Sequence, residues 1–369
     1  MKFRALLMSA ALLLGAAGAA SAAHAQEQPL KIIMVDVEGG TATLFVTPQG
    51  RSVLLDAGWP PGRGITAPPA GSPPPVPPAP GSPERIIAAA KLMGLTRIDY
   101  LVTTHYHVDH IGGVLDLASK FPVGTFVDHG ANRELLSAQA KSMGPNSPIA
   151  LYDAYIKAIA GKPHREMKAG DTLKLGDLTL LAVTSDNQHI KPLPGAGSPG
   201  VGCTDARPPL FNDEIENQHA LGLLATYGKA RVLALSDQIW DTENALVCPV
   251  DRIGPVDLAF VDNHGTDTSN SPAFLATVRP TVAVMANGAT KGAGPETLKT
   301  LRAQPGTDLW QVHFATRSPD LNAPPNQIAN IAALPNENNA LHINVLKSGA
   351  ITVINSRNGY SKTYPKATR

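Results

Sequence analysis

The sequence predicts an α/β fold of two strand groups packed on each other, and three observations lead there. Short apolar runs rich in Val, Ile, Leu and Thr cluster near the start and again from residue 172. Stretches with helical spacing lie between them, and several runs end directly in Asp or His. An apolar strand that delivers a donor at its C-terminal end is how a rigid scaffold places ligands on one edge.

In chain order, Met1 to Ala25 has the form of a secretory signal. Lys2 and Arg4 make the basic start, Ala5 to Ala20 the apolar segment, and Ala23-His24-Ala25 an A-x-A cleavage site. A mature protein beginning near Gln26, periplasmic or secreted, is the expectation, and no later segment is apolar for long enough to span a bilayer. Residues 26–369 then read as one large domain. The formal net charge of +1 gives no basic field, so nucleic acid is not supported as a partner. Composition leaves a small-molecule or a polymer substrate equally open.

Leu30 to Val35, Thr41 to Thr47 and Arg51 to Leu55 predict an opening meander, the last strand ending in Asp56. Asp56 either caps a turn or orients a ligand histidine from behind. From 60 to 83 the chain carries 11 prolines and reads as an inserted loop, a solvated spacer or a lid. Glu84 to Met93 is a helix, and Ile98 to Val102 a strand that runs into Thr103-Thr104-His105-Tyr106-His107-Val108-Asp109-His110.

Three of the 11 histidines and one carboxylate fall together in that stretch. On an extended segment His105 and His107 share a side, and Asp109 and His110 leave the following turn, so four donors can converge. Imidazole and carboxylate without cysteine suit Zn, Mn or Fe rather than a closed structural zinc cage. A helix over Val114 to Lys120, a strand over Pro122 to Val127, and helices over Asn132 to Met143 and Ile149 to Ala160 follow. His129, after that strand, either contacts substrate or makes a structural hydrogen bond.

A hairpin of Thr172 to Leu175 and Leu178 to Val183 opens the second strand group, and His219 to Tyr227 with Ala230 to Leu235 continues it. The latter ends in Ser236-Asp237, and Val256 to Val261 ends in Asp262-Asn263-His264-Gly265. Thr297 onward offers a helix, an aromatic segment around Trp310, and closing strands at Leu341 to Leu346 and Ala350 to Asn355. His313 and His342 read as ordinary histidines. Cys203 and Cys248 either pair, as an exported chain permits, or remain two buried thiols.

The run His105-Tyr106-His107-Val108-Asp109-His110, followed by Ile111-Gly112-Gly113, resembles the HxHxDH signature of the metallo-β-lactamase superfamily. The resemblance implies an αββα sandwich with one or two metal ions, zinc first and Mn or Fe as alternatives, at one edge. It implies that His105, His107, Asp109, His110, Asp237 and His264 are ligands, with Asp109 and Asp237 as the carboxylates at the reacting centre. Asp237 matches the bridging carboxylate, with Ser236 where Gly is usual, and His264 the last histidine.

A finer resemblance is to the nuclease-like domain of the bacterial competence DNA-uptake protein, through Asp36-Val37-Glu38-Gly39-Gly40-Thr41-Ala42, Leu54-Leu55-Asp56-Ala57-Gly58 and Asn263-His264-Gly265-Thr266. Asn263 stands where His is common. Thr184-Ser185-Asp186 stands where a third histidine of the first metal site is expected, so either Asp186 or His189 completes that site or the first site is weak. The implied chemistry is hydrolysis by a metal-activated water on an ester, phosphodiester or amide bond. The alternative is an exported metal- or ligand-binding protein of weakened activity.

Overall fold

A computed structural model describes residues 27–63, 79–134, 144–203, 215–332 and 338–367. The expected signal segment, the centre of the Pro-rich stretch and most of the expected helix from Asn132 to Met143 lie outside the described residues.

The strands are β1 Leu30–Met34, β2 Thr43–Val46, β3 Ser52–Leu55, β4 Ile98–Val102, β5 Val123–Asp128, β6 His164–Glu166, β7 Thr172–Leu175, β8 Leu178–Ser185, β9 Gln188–His189, β10 Gly222–Tyr227, β11 Ala230–Ala234, β12 Leu258–Phe260, β13 Val282–Met285, β14 Asp308–His313, β15 Ile328–Asn330, β16 Leu341–Val345, β17 Ile351–Asn355 and β18 Ser361–Tyr364. The helices are α1 Ser82–Leu92, α2 Val108–Ile111, α3 Val114–Lys120, α4 Pro148–Ile159, α5 Ile215–His219, α6 Trp240–Val247, α7 Pro272–Val278 and α8 Pro295–Ala303.

One sheet runs β18-β17-β16-β1-β2-β3-β4-β5-β6 and the other β15-β14-β13-β12-β11-β10-β8-β7, with β9 on β8. The opening meander is antiparallel as expected, and the closing strands join it through β16, which pairs with β1 from Leu30 opposite Val345 onward. The expected strand from His219 begins at Gly222 instead. Asp186 holds the His219 ring at 2.7 Å and Ala220 N–H turns back to Asn217 O, which ends α5 before the strand can start.

Alternation along the strands sorts the side chains into three layers. Ile32 and Met34 face the second sheet in the central core, where they meet residues such as Leu223 and Phe260. Ile33 and Val35 face outward onto α1 to α4, through Ile86, Ile111, Leu117 and Tyr155. The outer face of the second sheet packs on α6 to α8 through Leu246, Phe274 and Leu298. That is the αββα order the sequence implied.

A buried ionic link crosses the seam between the sheets. Asp36, just past β1, accepts from Arg85 of α1 at 2.9 Å and pairs with the imidazole of His313 at 2.7 Å, while Arg85 also reaches Glu38 at 3.0 Å. Burial opposes charge on His313, but Asp36 beside it prevails and raises its pKa above the ordinary 6.5. Burial likewise opposes charge on Asp36, yet His313 and Arg85 hold it below 3.8.

The raised histidine stabilises the fold below pH 6.5 and loses that contribution as pH rises through its shifted value. The depressed carboxylate contributes above pH 3.8 and loses it as pH falls. The stability margin of wild type over His313→Gln should therefore be widest near pH 5 and narrow by pH 9 in denaturant titrations; a margin independent of pH would contradict this. Cys203 and Cys248 pair in a disulfide across 45 residues. Its removal by Cys203→Ser should lower unfolding free energy by about 4 kcal/mol on the chain-entropy argument.

Candidate metal centre

Strands β3, β4 and β5 are mutually parallel, and so are β11 through β15, so their C-terminal ends gather on one edge of the sandwich. Open α/β sheets offer their ligand sites at such ends. Asp56 follows β3, Thr103 to His107 follow β4 and α2 supplies Asp109 and His110. Ser236 and Asp237 follow β11, and a tight turn after β12 supplies His264.

That turn places Asn263 at φ 45° and His264 at φ 51°, the left-handed region that non-glycine residues seldom adopt. It is held from the far side, where Ala293 N–H donates to His264 O at 2.9 Å. A Cβ on Gly292 would stand 2.1 Å from that same oxygen, so only glycine fits there.

The ligand atoms of Asp109, His110, Asp237 and His264 all lie within 4.8 Å of one another, and all four residues are buried. His110 Nε2 lies 3.2 Å from His264 Nε2, 3.2 Å from Asp237 Oδ1 and 3.4 Å from Asp109 Oδ2. His264 Nε2 lies 3.0 Å from Asp109 Oδ2 and 3.2 Å from Asp237 Oδ2. His105 and His107 stand beside this group, with His105 Nε2 3.1 Å from His107 Nδ1 and the His105 ring 4.1 Å from that of His110.

The other ring nitrogens are engaged elsewhere. His110 Nδ1 meets Asp56 Oδ2 at 2.8 Å, His264 Nδ1 meets Ala286 O at 2.9 Å, His105 Nδ1 meets Thr104 Oγ1 at 3.1 Å, and His107 Nε2 meets Glu134 Oε1 at 3.4 Å. Outward hydrogen bonds of this kind fix the tautomer and aim the remaining nitrogen inward, as around metal-ligating histidines. Two imidazole nitrogens that face each other cannot both donate, and two carboxylates stand by them. A cation at their common focus satisfies all four donors, so the residues fit a divalent metal.

Electrostatics agree. Burial opposes charge on His110, but Asp237, Asp109 and Asp56 raise its pKa well above 6.5; Asp237 is the main influence that raises that of His264. Burial would neutralise Asp109 and Asp237, yet Lys291 and His110 hold the first carboxylate ionised and His110 and His264 the second. His105, desolvated and beside His110 and His107, is held well below 6.5.

Asp56 orients His110 and also accepts from Thr104 N–H and Thr104 Oγ1–H, each at 2.8 Å. Asp186 accepts from Arg133 at both oxygens, and its Oδ1 also lies 2.7 Å from His219 Nδ1. His189 lies on β9 with Nε2 buried and without a hydrogen-bond partner among the described residues. His129 Nε2 pairs with Glu216 Oε2 at 3.1 Å, a buried structural contact.

Sequence reading missed Glu134, Glu216 and Lys291. Lys291 Nζ sits on Asp109 Oδ2, and its only sequence signal is a Gly-rich turn after a strand. It also missed the grouping of Asp36, Glu38 and His313, where Arg85 already supplies the positive charge.

Residues 35–207 match the family model of the metallo-β-lactamase superfamily. No curated protein matches the chain significantly by sequence. Among solved structures, the metallo-β-lactamase fold protein YhfI from Bacillus subtilis is similar at 12% identity over 77% of this chain and 96% of that one, TM-score 0.39. A metallo hydrolase from the hyperthermophilic archaeon Ignicoccus hospitalis is similar at 15% identity over 76% and 94%, TM-score 0.39. The diiron β-hydroxylase CmlA from Streptomyces venezuelae is similar at 16% identity over 73% of this chain and 46% of that one, TM-score 0.37, so the chain spans about half of that protein's length. Over residues 35–207 the chain is thus similar to the metallo-β-lactamase superfamily, and its two-sheet α/β architecture is consistent with the metallo-β-lactamase fold.

Proposed function

We propose that the chain is an exported metal-dependent hydrolase of an ester, phosphodiester or amide bond. One observation carries the reading: four buried donors on strand ends of both sheets converge, and each histidine's second nitrogen is held by a partner. Asp109, His110, Asp237 and His264 would hold the ion, with His105 and His107 at its margin. Bound there, a divalent ion lowers the pKa of a water towards about 7 and polarises the target oxygen.

The chain's own residues do the rest. Asp56 keeps His110 Nε2 aimed inward, the His264 turn fixes the opposite face, and Asp109 and Asp237 would be the carboxylates at the reacting centre, Asp237 orienting the attacking water. The N/O donor set suits zinc, with Mn and Fe as alternatives. The Met1 to Ala25 leader and the Cys203–Cys248 disulfide support export. No helix among the described residues is long and apolar enough to cross a membrane. The net charge of +1 and Asn263 argue against a nucleic-acid substrate, and so against the competence-type nuclease reading.

A second reading, an exported metal- or ligand-binding protein without turnover, is favoured by Asp186, whose commitment to Arg133 and His219 leaves His105 and His107 without a third histidine. Purified mature protein should carry zinc, manganese or iron in stoichiometric amount. It should turn over at least one of a phosphodiester, a lactone and a β-lactam, with chelator and Asp237→Ala each abolishing the rate. Stoichiometric metal with no turnover favours the second reading, and no metal after reconstitution overturns the hydrolase. Asp56→Ala should weaken metal binding by roughly 10- to 100-fold in chelator competition while the protein stays folded.

A further inference from the structure

Among the described residues at the candidate centre, exposure rises towards His107 and Lys291. His110, His264 and Asp237 have side chains 0%, 1% and 6% exposed, whereas His107 is 22% and Lys291 34% exposed. The cavity beneath the centre, lined by Thr104, Ser236, Asp237 and Phe260, holds about 30 Å³, room for a water and not for a substrate. Lys291 is thus the more exposed of these two side chains and stands where a substrate can approach the described part of the centre.

Lys291 is placed there by construction. Gly288 N–H closes a turn on Lys291 O at 3.0 Å, and Ala293 and Gly294 N–H fasten the same loop to His264 O and Gly265 O. A Cβ on Gly39 would meet Gly288 N at 2.8 Å, so the Gly39-Gly40 turn is what lets this loop close over the site. The Lys291 ammonium lies 5.1 Å from the centroid of the Trp59 ring, and the Arg63 guanidinium 5.9 Å from the same ring. Aromatic faces hold cations without neutralising them.

Resting on the metal-centre reading, we infer that Lys291 grips an anionic group of the substrate, a carboxylate or a phosphate, beside the bond that is cut. Its present partner is Asp109 Oδ2, the same oxygen that faces His264 Nε2 at 3.0 Å and His110 Nε2 at 3.4 Å. With an ion held at that focus, Asp109 would have its counter-charge there. Lys291, seated on Trp59 and 34% exposed, would then be left to pair with an external anion.

The test uses zinc-loaded full mature protein, as wild type, Lys291→Met and Lys291→Arg. Zinc affinity is read by chelator competition, and binding of inorganic phosphate and of acetate by calorimetry. Wild type and Lys291→Arg should bind one or both anions, the tighter of the two naming the substrate's group. Lys291→Met should bind them at least tenfold more weakly while holding zinc as tightly as wild type or more so. Equal anion affinity in wild type and Lys291→Met, or no binding of either anion by wild type, overturns the inference and leaves the metal centre standing. Loss of zinc from Lys291→Met shows a structural clamp on Asp109 and overturns it too. Wild type that takes no zinc overturns the centre itself, and the inference with it.

Discussion

Two carboxylates, Asp109 and Asp237, are buried against the imidazoles of His110 and His264, and the rest of the edge is arranged to make that tolerable. Removing an ionised group from water costs several kcal/mol unless charge and hydrogen bonds answer it. Here every histidine of the group is answered twice, once inward towards the carboxylates or its neighbour and once outward to Asp56, Ala286 O, Thr104 or Glu134. The left-handed backbone at Asp56, Ser236, Asn263 and His264 is the conformational cost of these aims. Each of these residues follows a strand whose pairing is already fixed, so the strain falls where the fold is stiff enough to carry it.

The donors come in halves. Asp109 and His110 leave the first sheet through α2, while Asp237 and His264 leave the second from β11 and β12. Neither half is a site alone, so the centre requires the two sheets to meet in one register. Thr104, which reaches Ser236 Oγ at 2.7 Å across the seam, and Asp36, which reaches His313, are polar contacts that the apolar core cannot replace. Apolar packing is non-directional and sets only the distance between sheets; these contacts set their alignment.

This division explains what the sequence disclosed. His105, His107, Asp109 and His110 were legible because one strand end carries all of them. Asp237 and His264 were legible because each ends an apolar run, and the two-sheet order because two groups of strand-like runs stand apart in the chain and the motif's family resemblance implies a sandwich. Lys291 was not, because its meeting with Asp109 spans 182 residues and depends on two glycine turns packing together. Glu216 and Glu134 were hidden for the same reason, since their partners His107, His129 and each other lie 27 to 87 residues away. His313 looked ordinary, and its partner Asp36 becomes visible only once β14 lies opposite the end of β1.

Asp186 decides how the two halves of the motif differ. In its place a histidine would present a neutral nitrogen, but a carboxylate there draws Arg133 onto itself, and His219 with it. Arg133 N–H in turn donates to Glu216, which receives Tyr106 N–H and the His129 ring, so the segment carrying Glu134 is drawn against His107. The charge of Asp186 is thus used inside the protein to fasten the wall around His107. His105 and His107 keep a fixed orientation with only two nitrogens between them. The four donors of Asp109, His110, Asp237 and His264 are the set complete enough to hold an ion, and the histidine pair shapes the approach to it.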